Sequence, residues 1–140
     1  MIRAVLDANV FISGILNTHG APGQVLDAWR AEQFQLLISP AILDELERVL
    51  HYPKIAKRHG WTPAIVQQFL SRLTTIAITT PGDLLLSVVD VPSDNRYLEC
   101  AVEGHATHLV SGDRDLLVLG RFDGIAVVTP QAFLEVLAVQ

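Results

Sequence analysis

We infer that the chain is organised around the stretch Leu109-Val110-Ser111-Gly112-Asp113-Arg114-Asp115-Leu116-Leu117. Its apolar start predicts a strand, Ser111-Gly112 predicts a sharp turn, and the apolar run over residues 116–119 predicts a helix. Asp113 and Asp115 therefore stand where a strand ends and a helix begins, the edge at which open α/β sheets bind ligands. Two carboxylates there can bind a hard divalent cation, although turn formation and helix capping also favour aspartate. The choice depends on whether further acids occupy equivalent positions.

Two further aspartates occupy such positions. Residues 2–6 form an apolar run that predicts a buried first strand, which ends at Asp7, with Asn9 two residues later. Asp94 precedes apolar side chains at helical spacing, which places it at a helix N-terminus. Helix capping explains either aspartate on its own. An acid at the end of a buried strand also needs a partner, however, because an unpaired buried carboxylate is costly.

Segments with helical periodicity alternate with short apolar segments along most of the chain. Predicted helices cover residues 9–16, 21–32, 40–51, 62–73 and 130–139. Besides the strand of the opening stretch, predicted strands cover residues 2–6, 34–38, 76–79 and 124–128. Residues 84–89 fit either a further strand or an apolar loop. Strands that alternate with helices form βαβ units, so we predict one α/β domain with a parallel sheet over residues 1–140.

The predicted helix over residues 40–51 supplies one more candidate acid. Glu45 and Glu47 flank the two edges of its apolar arc, and the helical wheel does not choose between them. Four or five carboxylates at one edge of a sheet repel one another unless they bind cations or protons. Oxygen-only ligands favour Mg²⁺ or Mn²⁺ over zinc, and two such ions can activate water for displacement at phosphorus. His105 and His108 lack the further ligands that a zinc site needs.

The composition indicates a folded chain and sets limits on its class. Hydrophobic residues make up 50% of the sequence and the mean hydropathy is +0.36, which excludes a disordered chain. No apolar run reaches the roughly 18 residues of a membrane-spanning helix, and the N-terminus has no secretion signal, so we expect a cytoplasmic protein without a membrane partner. The single cysteine, Cys100, is predicted to be inert core.

The charges are unevenly distributed, although the net charge is −5. Five of the fifteen acids are the candidate cluster, and the other ten balance the ten lysines and arginines. Residues 51–61 hold Lys54, Lys57 and Arg58, two histidines and two aromatic side chains, with no acid. This basic cluster fits contact with an RNA backbone and equally fits a solvated segment between helices.

Four pieces of the sequence, in order, resemble one family. They are Val5-Leu6-Asp7-Ala8-Asn9-Val10, Ser39-Pro40 through Glu45-Leu46, Asp94-Asn95-Arg96-Tyr97-Leu98, and Val110 through Leu117. The chain resembles the PIN-domain ribonucleases over its whole length, particularly the toxins of bacterial and archaeal toxin–antitoxin pairs. The resemblance implies a three-layer α/β/α fold with a central parallel sheet and an acidic cleft at the carboxyl edge of its strands.

The resemblance also assigns roles to individual residues. The catalytic, metal-binding acids fall on Asp7, Glu45, Asp94 and Asp113, with Asp115 as a frequent fifth metal ligand, and it is the resemblance that prefers Glu45 over Glu47. Asn9 and Ser111 match positions that support those acids. One departure is the segment Val91-Pro92-Ser93-Asp94-Asn95, which is less acidic than in relatives and therefore bears on the affinity for a second metal ion.

From these residues and this resemblance we expect an endoribonuclease that depends on one or two Mg²⁺ or Mn²⁺ ions. Metal-activated water would cleave RNA to leave a 5′-phosphate and a 3′-hydroxyl. As a toxin, the protein would be held inactive by a small antitoxin and would form a homodimer or a higher oligomer. Trp29, Tyr52 and Trp61 include candidates for exposed aromatic anchors at such interfaces. The alternative is that all three complete the core, which we expect for Trp29.

Two alternatives remain at this point. A phosphomonoesterase of the haloacid dehalogenase type would use Asp7 as a nucleophile at the end of the first strand and Gly112-Asp113 in its metal motif. That chemistry needs an aspartate two residues after the nucleophile, where this chain has Asn9. The other alternative is a module that binds RNA or a protein without cleaving it.

Overall fold

The sheet of the protein has the strand order β3-β2-β1-β4-β6-β5 in the computed structural model, which describes all of residues 1–140. The strands are β1 (Arg3–Leu6), β2 (Gln35–Ile38), β3 (Ile78–Thr79), β4 (His108–Val110), β5 (Arg121–Phe122) and β6 (Ile125–Val128). The helices are α1 (Ala8–Leu16), α2 (Ala21–Arg30), α3 (Pro40–Leu50), α4 (Pro53–His59), α5 (Pro63–Ile76), α6 (Asn95–Glu103), α7 (Arg114–Leu117) and α8 (Pro130–Ala138). A 3-10 turn, Pro92–Asp94, leads into α6.

The order of the strands reverses between β1 and β4. From β1 the chain proceeds to β2 and β3 on one side, then returns to β4 on the other side of β1, where β6 follows. The β1–β2, β1–β4, β2–β3 and β4–β6 pairs are all parallel, so the carboxyl ends of β1 and β4 lie side by side. This reversal is the point at which an open α/β sheet provides a ligand crevice.

The predicted parallel sheet is confirmed for five strands, and its edge differs. β5 pairs with β6 in the antiparallel direction through a turn at Asp123 and Gly124, whose φ angles are +51° and +79°. β5 was not predicted, because a strand of two residues is too short to show an alternation of apolar and polar residues. An antiparallel edge strand is a common addition to a mainly parallel sheet.

The apolar strands and helix faces form one core. Thirty-three buried apolar residues make a single cluster, which includes the fully buried Phe11 and Phe133. Ser39, Thr62 and Thr129 cap α3, α5 and α8 by accepting the backbone N–H three residues on, and each is followed by proline at the first helical position. These three predicted helix starts are confirmed.

Two adjoining predicted boundaries were wrong, the end of α5 and the start of β3. α5 continues to Ile76, which leaves only Ile78–Thr79 for β3. Thr74 and Thr75 lie inside the helix, where their hydroxyls donate to the carbonyls of Leu70 and Ser71. For residues 84–89 the sequence allowed a strand or an apolar loop, and the structure shows the loop. Within the basic cluster, α4 is a two-turn helix that was not predicted.

Cys100 is fully buried, as predicted. Burial, the largest cause, raises the pKa of its thiol to about 11, so the thiol is protonated and unreactive at neutral pH. None of the helices is long and apolar enough to cross a membrane.

Candidate active site

Five acids converge where β1 and β4 end. Asp7 follows β1, and Asp113 and Asp115 follow β4. Asp94 stands at the start of α6, which packs against β1, β2 and β4, and Glu45 lies on α3, which packs against α6. The fold therefore places all five predicted acids near one edge of the sheet.

Asp7 is buried and held by three hydrogen bonds. Its Oδ1 accepts the backbone N–H groups of Asn9 at 2.6 Å and Val10 at 3.4 Å, and its Oδ2 accepts the hydroxyl of Ser111 at 2.5 Å. Burial, the largest cause, raises the pKa of Asp7, the charge of Asp113 raises it further, and the three hydrogen bonds oppose the rise. Asp7 thus caps α1 and also presents a carboxylate at the strand edge. Asn9 contributes its backbone, while its side chain is exposed.

Ser111 connects the ends of the two central strands. Its hydroxyl donates to Asp7 and accepts the backbone N–H of Asp113 at 2.9 Å, while its own N–H donates to the carbonyl of Val128 in β6. Asp113 in turn caps α7, because its Oδ1 accepts the N–H of Asp115 at 2.9 Å. The serine therefore fixes the turn that carries two of the acids.

Asp94, Asp113 and Asp115 form the tightest group of acids, with one oxygen of each lying within 4.8 Å of the others. Asp94 does not cap α6, so its carboxylate is not engaged in a local turn. Its pKa is raised to about 7, first by burial, then by the hydrogen bond that its protonated form makes to Asp113, and then by the charges of Asp113, Asp7 and Glu45. Oxygen-only donors that repel one another so strongly fit a hard divalent cation such as Mg²⁺ or Mn²⁺.

Tyr97 is a site residue that the sequence analysis missed. It is buried, and its hydroxyl donates to Glu45 Oε2 at 2.6 Å. The hydroxyl oxygen of Tyr97 also accepts the backbone N–H of Ala8 at 3.2 Å. Burial, followed by the hydrogen bond to Glu45, raises the pKa of Tyr97 far above its ordinary value, so the phenol remains a donor. The available signal was a phenol among the buried positions of α6, where its hydroxyl requires a partner.

Only one of the two candidate glutamates faces this group. Glu45 is half-buried and bonded to Tyr97, whereas Glu47 is exposed and lines a depression against α5 with Gln67 and Ser71. Glu45, which the resemblance prefers over Glu47, is thus the glutamate that lies near the other acids.

The remaining predicted residues lie elsewhere. Lys54, Lys57 and Arg58 are exposed on α4, which packs against α1 and α3. Trp29 is buried, as expected for a residue that completes the core, while Tyr52 is 46% exposed and Trp61 is half-buried between His59 and Phe69.

The comparisons with known proteins agree with this geometry. A mainly parallel sheet, with carboxylate oxygens grouped where the strand order reverses, defines an α/β protein with a candidate binding site for hard cations. The family model of the PIN domain matches residues 3–115, from the start of β1 to Asp115, so the chain belongs to the PIN domain family. The predicted PIN-like fold is thereby confirmed.

Two related proteins extend this result. The chain is 30% identical over 142 residues to the uncharacterized protein MJ1680 of Methanocaldococcus jannaschii, in an alignment that covers 96% of this chain and 90% of that protein. It is also similar in fold to a chain in the crystal structure of VapBC2 from Rickettsia felis bound to a DNA fragment from their promoter. That match has 14% identity and a TM-score of 0.56, and it covers 91% of this chain and 98% of the other.

Proposed function

We propose that residues 1–140 act as one PIN domain with the activity of an endoribonuclease dependent on Mg²⁺ or Mn²⁺, the toxin of a toxin–antitoxin pair. The observation that carries this proposal is the group of Asp94, Asp113 and Asp115, whose oxygens lie within 4.8 Å of one another where β1 and β4 end. Membership of the PIN domain family supports it. The products would be a 5′-phosphate and a 3′-hydroxyl.

Asp94, Asp113 and Asp115 would hold the first ion, and Asp7 and Glu45 lie close enough to influence it through their charges. One or two bound ions would supply activated water and would neutralise the charge that develops on the phosphodiester. The donor set contains neither sulfur nor imidazole, which favours Mg²⁺ or Mn²⁺ over zinc.

The protein's own side chains orient the acids before any substrate arrives. Ser111 fixes one oxygen of Asp7, and Tyr97 fixes one oxygen of Glu45. The second oxygen of Glu45 accepts no hydrogen bond from the protein and is therefore available to a water molecule or a cation. Orientation of this kind reduces the reorganisation that the reaction would otherwise require.

The exposed cations of α4 would contact the RNA backbone. Lys54, Lys57 and Arg58 form no ion pair with an acid of this chain. α4 packs against α1, which follows Asp7, and against α3, which carries Glu45. RNA bound to α4 would therefore lie beside two helices that are connected to acids of the site.

The partner proposed by analogy with the toxins is a small antitoxin, and the fold similarity to a chain of VapBC2 supports this assignment. A second surface suits association with another copy of the chain. α2 and α5 enclose a groove of about 340 Å³ lined by apolar side chains that include Trp61, Phe69 and the 56% exposed Ile76. The same groove carries Arg30, Glu32 and Arg72, so acidic and basic side chains are both present for pairing across the two-fold interface of a dimer.

The position of Asp7 disfavours the phosphomonoesterase alternative. A nucleophilic aspartate must present a free oxygen to phosphorus, yet both oxygens of Asp7 accept hydrogen bonds and the residue is only 3% exposed. The experiment that separates the alternatives incubates the pure protein, with Mg²⁺ or Mn²⁺, with labelled RNA and separately with a phosphomonoester. The proposal expects cleavage of RNA alone. Release of phosphate from the monoester would support the phosphatase, and binding of RNA without cleavage in either metal would support the binding module.

A further inference from the structure

The loop that leads to Asp94 is attached to the protein by hydrogen bonds from its backbone to side chains. Residues 81–91, here called the strap, connect β3 to the 3-10 turn that carries Asp94 and contain no regular secondary structure. No backbone-to-backbone hydrogen bond involves residues 81–90. The hydrogen bonds that hold the strap to the protein come from side chains instead.

Those side chains lie on one face of α6. Asn95, Glu99 and Glu103 are four residues apart, which aligns them along the helix. Glu103 accepts the N–H groups of three residues at the far end of the strap, Gly82, Asp83 and Leu84, at 2.9 to 3.1 Å. Glu99 accepts the N–H of Leu86 at 2.8 Å and forms an ion pair with Arg96.

Asn95 holds the end of the strap that is nearest to the acids. Its Oδ1 accepts the N–H groups of Val88 at 2.8 Å and Val89 at 3.0 Å, and its Nδ2 donates to the carbonyl of Val89 at 3.1 Å. Asn95 is 3% exposed, so these bonds are shielded from water. Since Asn95 follows Asp94 directly, the three bonds fix the backbone on both sides of that aspartate.

Asp94 depends on this attachment more than Asp7, Glu45 and Asp113 do. Asp7 is oriented by Ser111, Glu45 by Tyr97, and Asp113 by the N–H of Asp115. No backbone N–H and no alcohol hydroxyl donates to the Asp94 carboxylate, whose hydrogen bond is the one that its protonated form makes to Asp113. In the ionised form that binds a cation, the position of Asp94 therefore follows from the path of its backbone. The repulsion of Asp113, Asp7 and Glu45 acts to displace it.

We propose that Asn95 is a positioning residue, which holds Asp94 within cation-sharing distance of Asp113 and Asp115 by fastening the strap to α6. This inference rests on the proposed function, because it concerns the same group of acids. Glu103 fastens the distant end of the strap and has no part in placing Asp94.

The test compares Asn95→Ala with the matched control Glu103→Ala. Each variant removes three hydrogen bonds between the strap and α6, so both should lose stability. The measurement is Mn²⁺ binding to the metal-free protein, followed by the electron paramagnetic resonance signal of free Mn²⁺, with thermal unfolding recorded for both variants. Asn95→Ala should weaken Mn²⁺ binding about 10- to 100-fold, the range seen when groups that orient metal ligands are removed. Glu103→Ala should bind Mn²⁺ as the wild type does.

Equal Mn²⁺ affinity in Asn95→Ala and the wild type would overturn the inference, and so would an equal loss in both variants that follows their loss of stability. The absence of Mn²⁺ binding in the wild type would overturn the proposed metal centre itself. Hydrogen exchange of the wild-type protein tests the coupling even where Asn95→Ala does not fold. If metal and strap are coupled, Mn²⁺ should slow exchange of the Val88 and Val89 amides more than that of Gly82, Asp83 and Leu84. Unchanged exchange at residues 88 and 89 on saturation with Mn²⁺ would contradict the inference.

Discussion

The hydroxyl of Ser111 lies 2.5 Å from Oδ2 of Asp7 and forms the direct side-chain link between the ends of the two central strands. The residues are 104 positions apart in the sequence and adjacent in space because β1 and β4 pair in parallel. Ser111 is fully buried and Asp7 nearly so, which means that no bulk water can replace the bond.

Ser111→Ala is therefore expected to destabilise the protein by roughly 1–3 kcal/mol, the cost of a buried acceptor without its donor. It should also raise the pKa of Asp7, because the hydrogen bond from Ser111 holds that pKa down. Urea unfolding at pH 7 measures the first effect. The exposed Ser71 on α5 provides the control variant Ser71→Ala, which should change stability by less than about 0.5 kcal/mol. Equal stability of Ser111→Ala and the wild type would contradict the role of the bond.

The raised pKa of Asp94 predicts how the stability of the metal-free protein depends on pH. The folded state holds the Asp94 proton up to about pH 7, whereas an unfolded aspartate loses it near 3.8. The folded state thus binds more protons between these values, so the stabilisation is complete below pH 4 and is lost as the pH rises through 7. Because solvent screens this half-exposed group, we expect an effect on the order of 1 kcal/mol.

Thermal unfolding in the presence of a chelator, at pH 5.5 and pH 8, measures this effect. The melting temperature should fall by a few degrees at the higher pH, and Asp94→Asn should reduce the difference. Part of the slope should persist in the variant, because the pKa of Asp7 is raised as well. A wild-type protein that becomes more stable between pH 5.5 and pH 8 would show that the acids do not repel one another as described.

The cations of α4 are expected to act on RNA through electrostatics alone. Replacing Lys54, Lys57 and Arg58 together by alanine should weaken RNA binding at low salt and flatten its dependence on salt concentration, since fewer counterions are released. Mn²⁺ binding should not change. Fluorescence anisotropy with labelled RNA at several salt concentrations gives the slope. If the slope stays the same, this surface does not bind the substrate, and an acidic partner becomes its candidate ligand.

The groove between α2 and α5 predicts self-association. Ile76→Glu should convert a dimer to a monomer, because it places a charge in the apolar surface that two copies would share. Val118→Glu is the matched control, since Val118 is 80% exposed and lies after α7, outside the groove. Sedimentation equilibrium separates the outcomes. A wild-type protein that remains monomeric at high micromolar concentration would contradict this use of the groove.

The sequence predicted those features that depend on local order. Asp7 follows an apolar strand directly, and Asp113 follows one after the turn Ser111-Gly112, so their place at the sheet edge could be inferred once the strands were recognised. The proline-led helix starts at Ser39, Thr62 and Thr129 were equally local.

Long-range contacts could not be predicted in this way. The hydrogen bond between Tyr97 and Glu45 joins residues 52 positions apart. The strap is bound by side chains of α6, a helix that follows it in the sequence. Nothing in the spacing of Asn95, Glu99 and Glu103 distinguishes a set of backbone acceptors from a solvated helix face. The extent of α5 was missed because its threonines have low intrinsic helix propensity, and their hydroxyl bonds to preceding carbonyls appear only in the folded helix.

Cleavage of labelled RNA by the purified protein, titrated with Mg²⁺ or Mn²⁺, tests the metal-dependent nuclease most directly. Three variants belong in the same assay: Asp113→Asn in the group of acids, Glu45→Gln beside it, and Glu47→Gln on the exposed side of α3 as the control. For a metal-dependent nuclease we predict cleavage that leaves 5′-phosphates and is abolished by chelation and by Asp113→Asn. Glu45→Gln should strongly reduce cleavage, and Glu47→Gln should leave it unaffected. Cleavage that persists in Asp113→Asn, or that requires no divalent metal, would contradict this prediction.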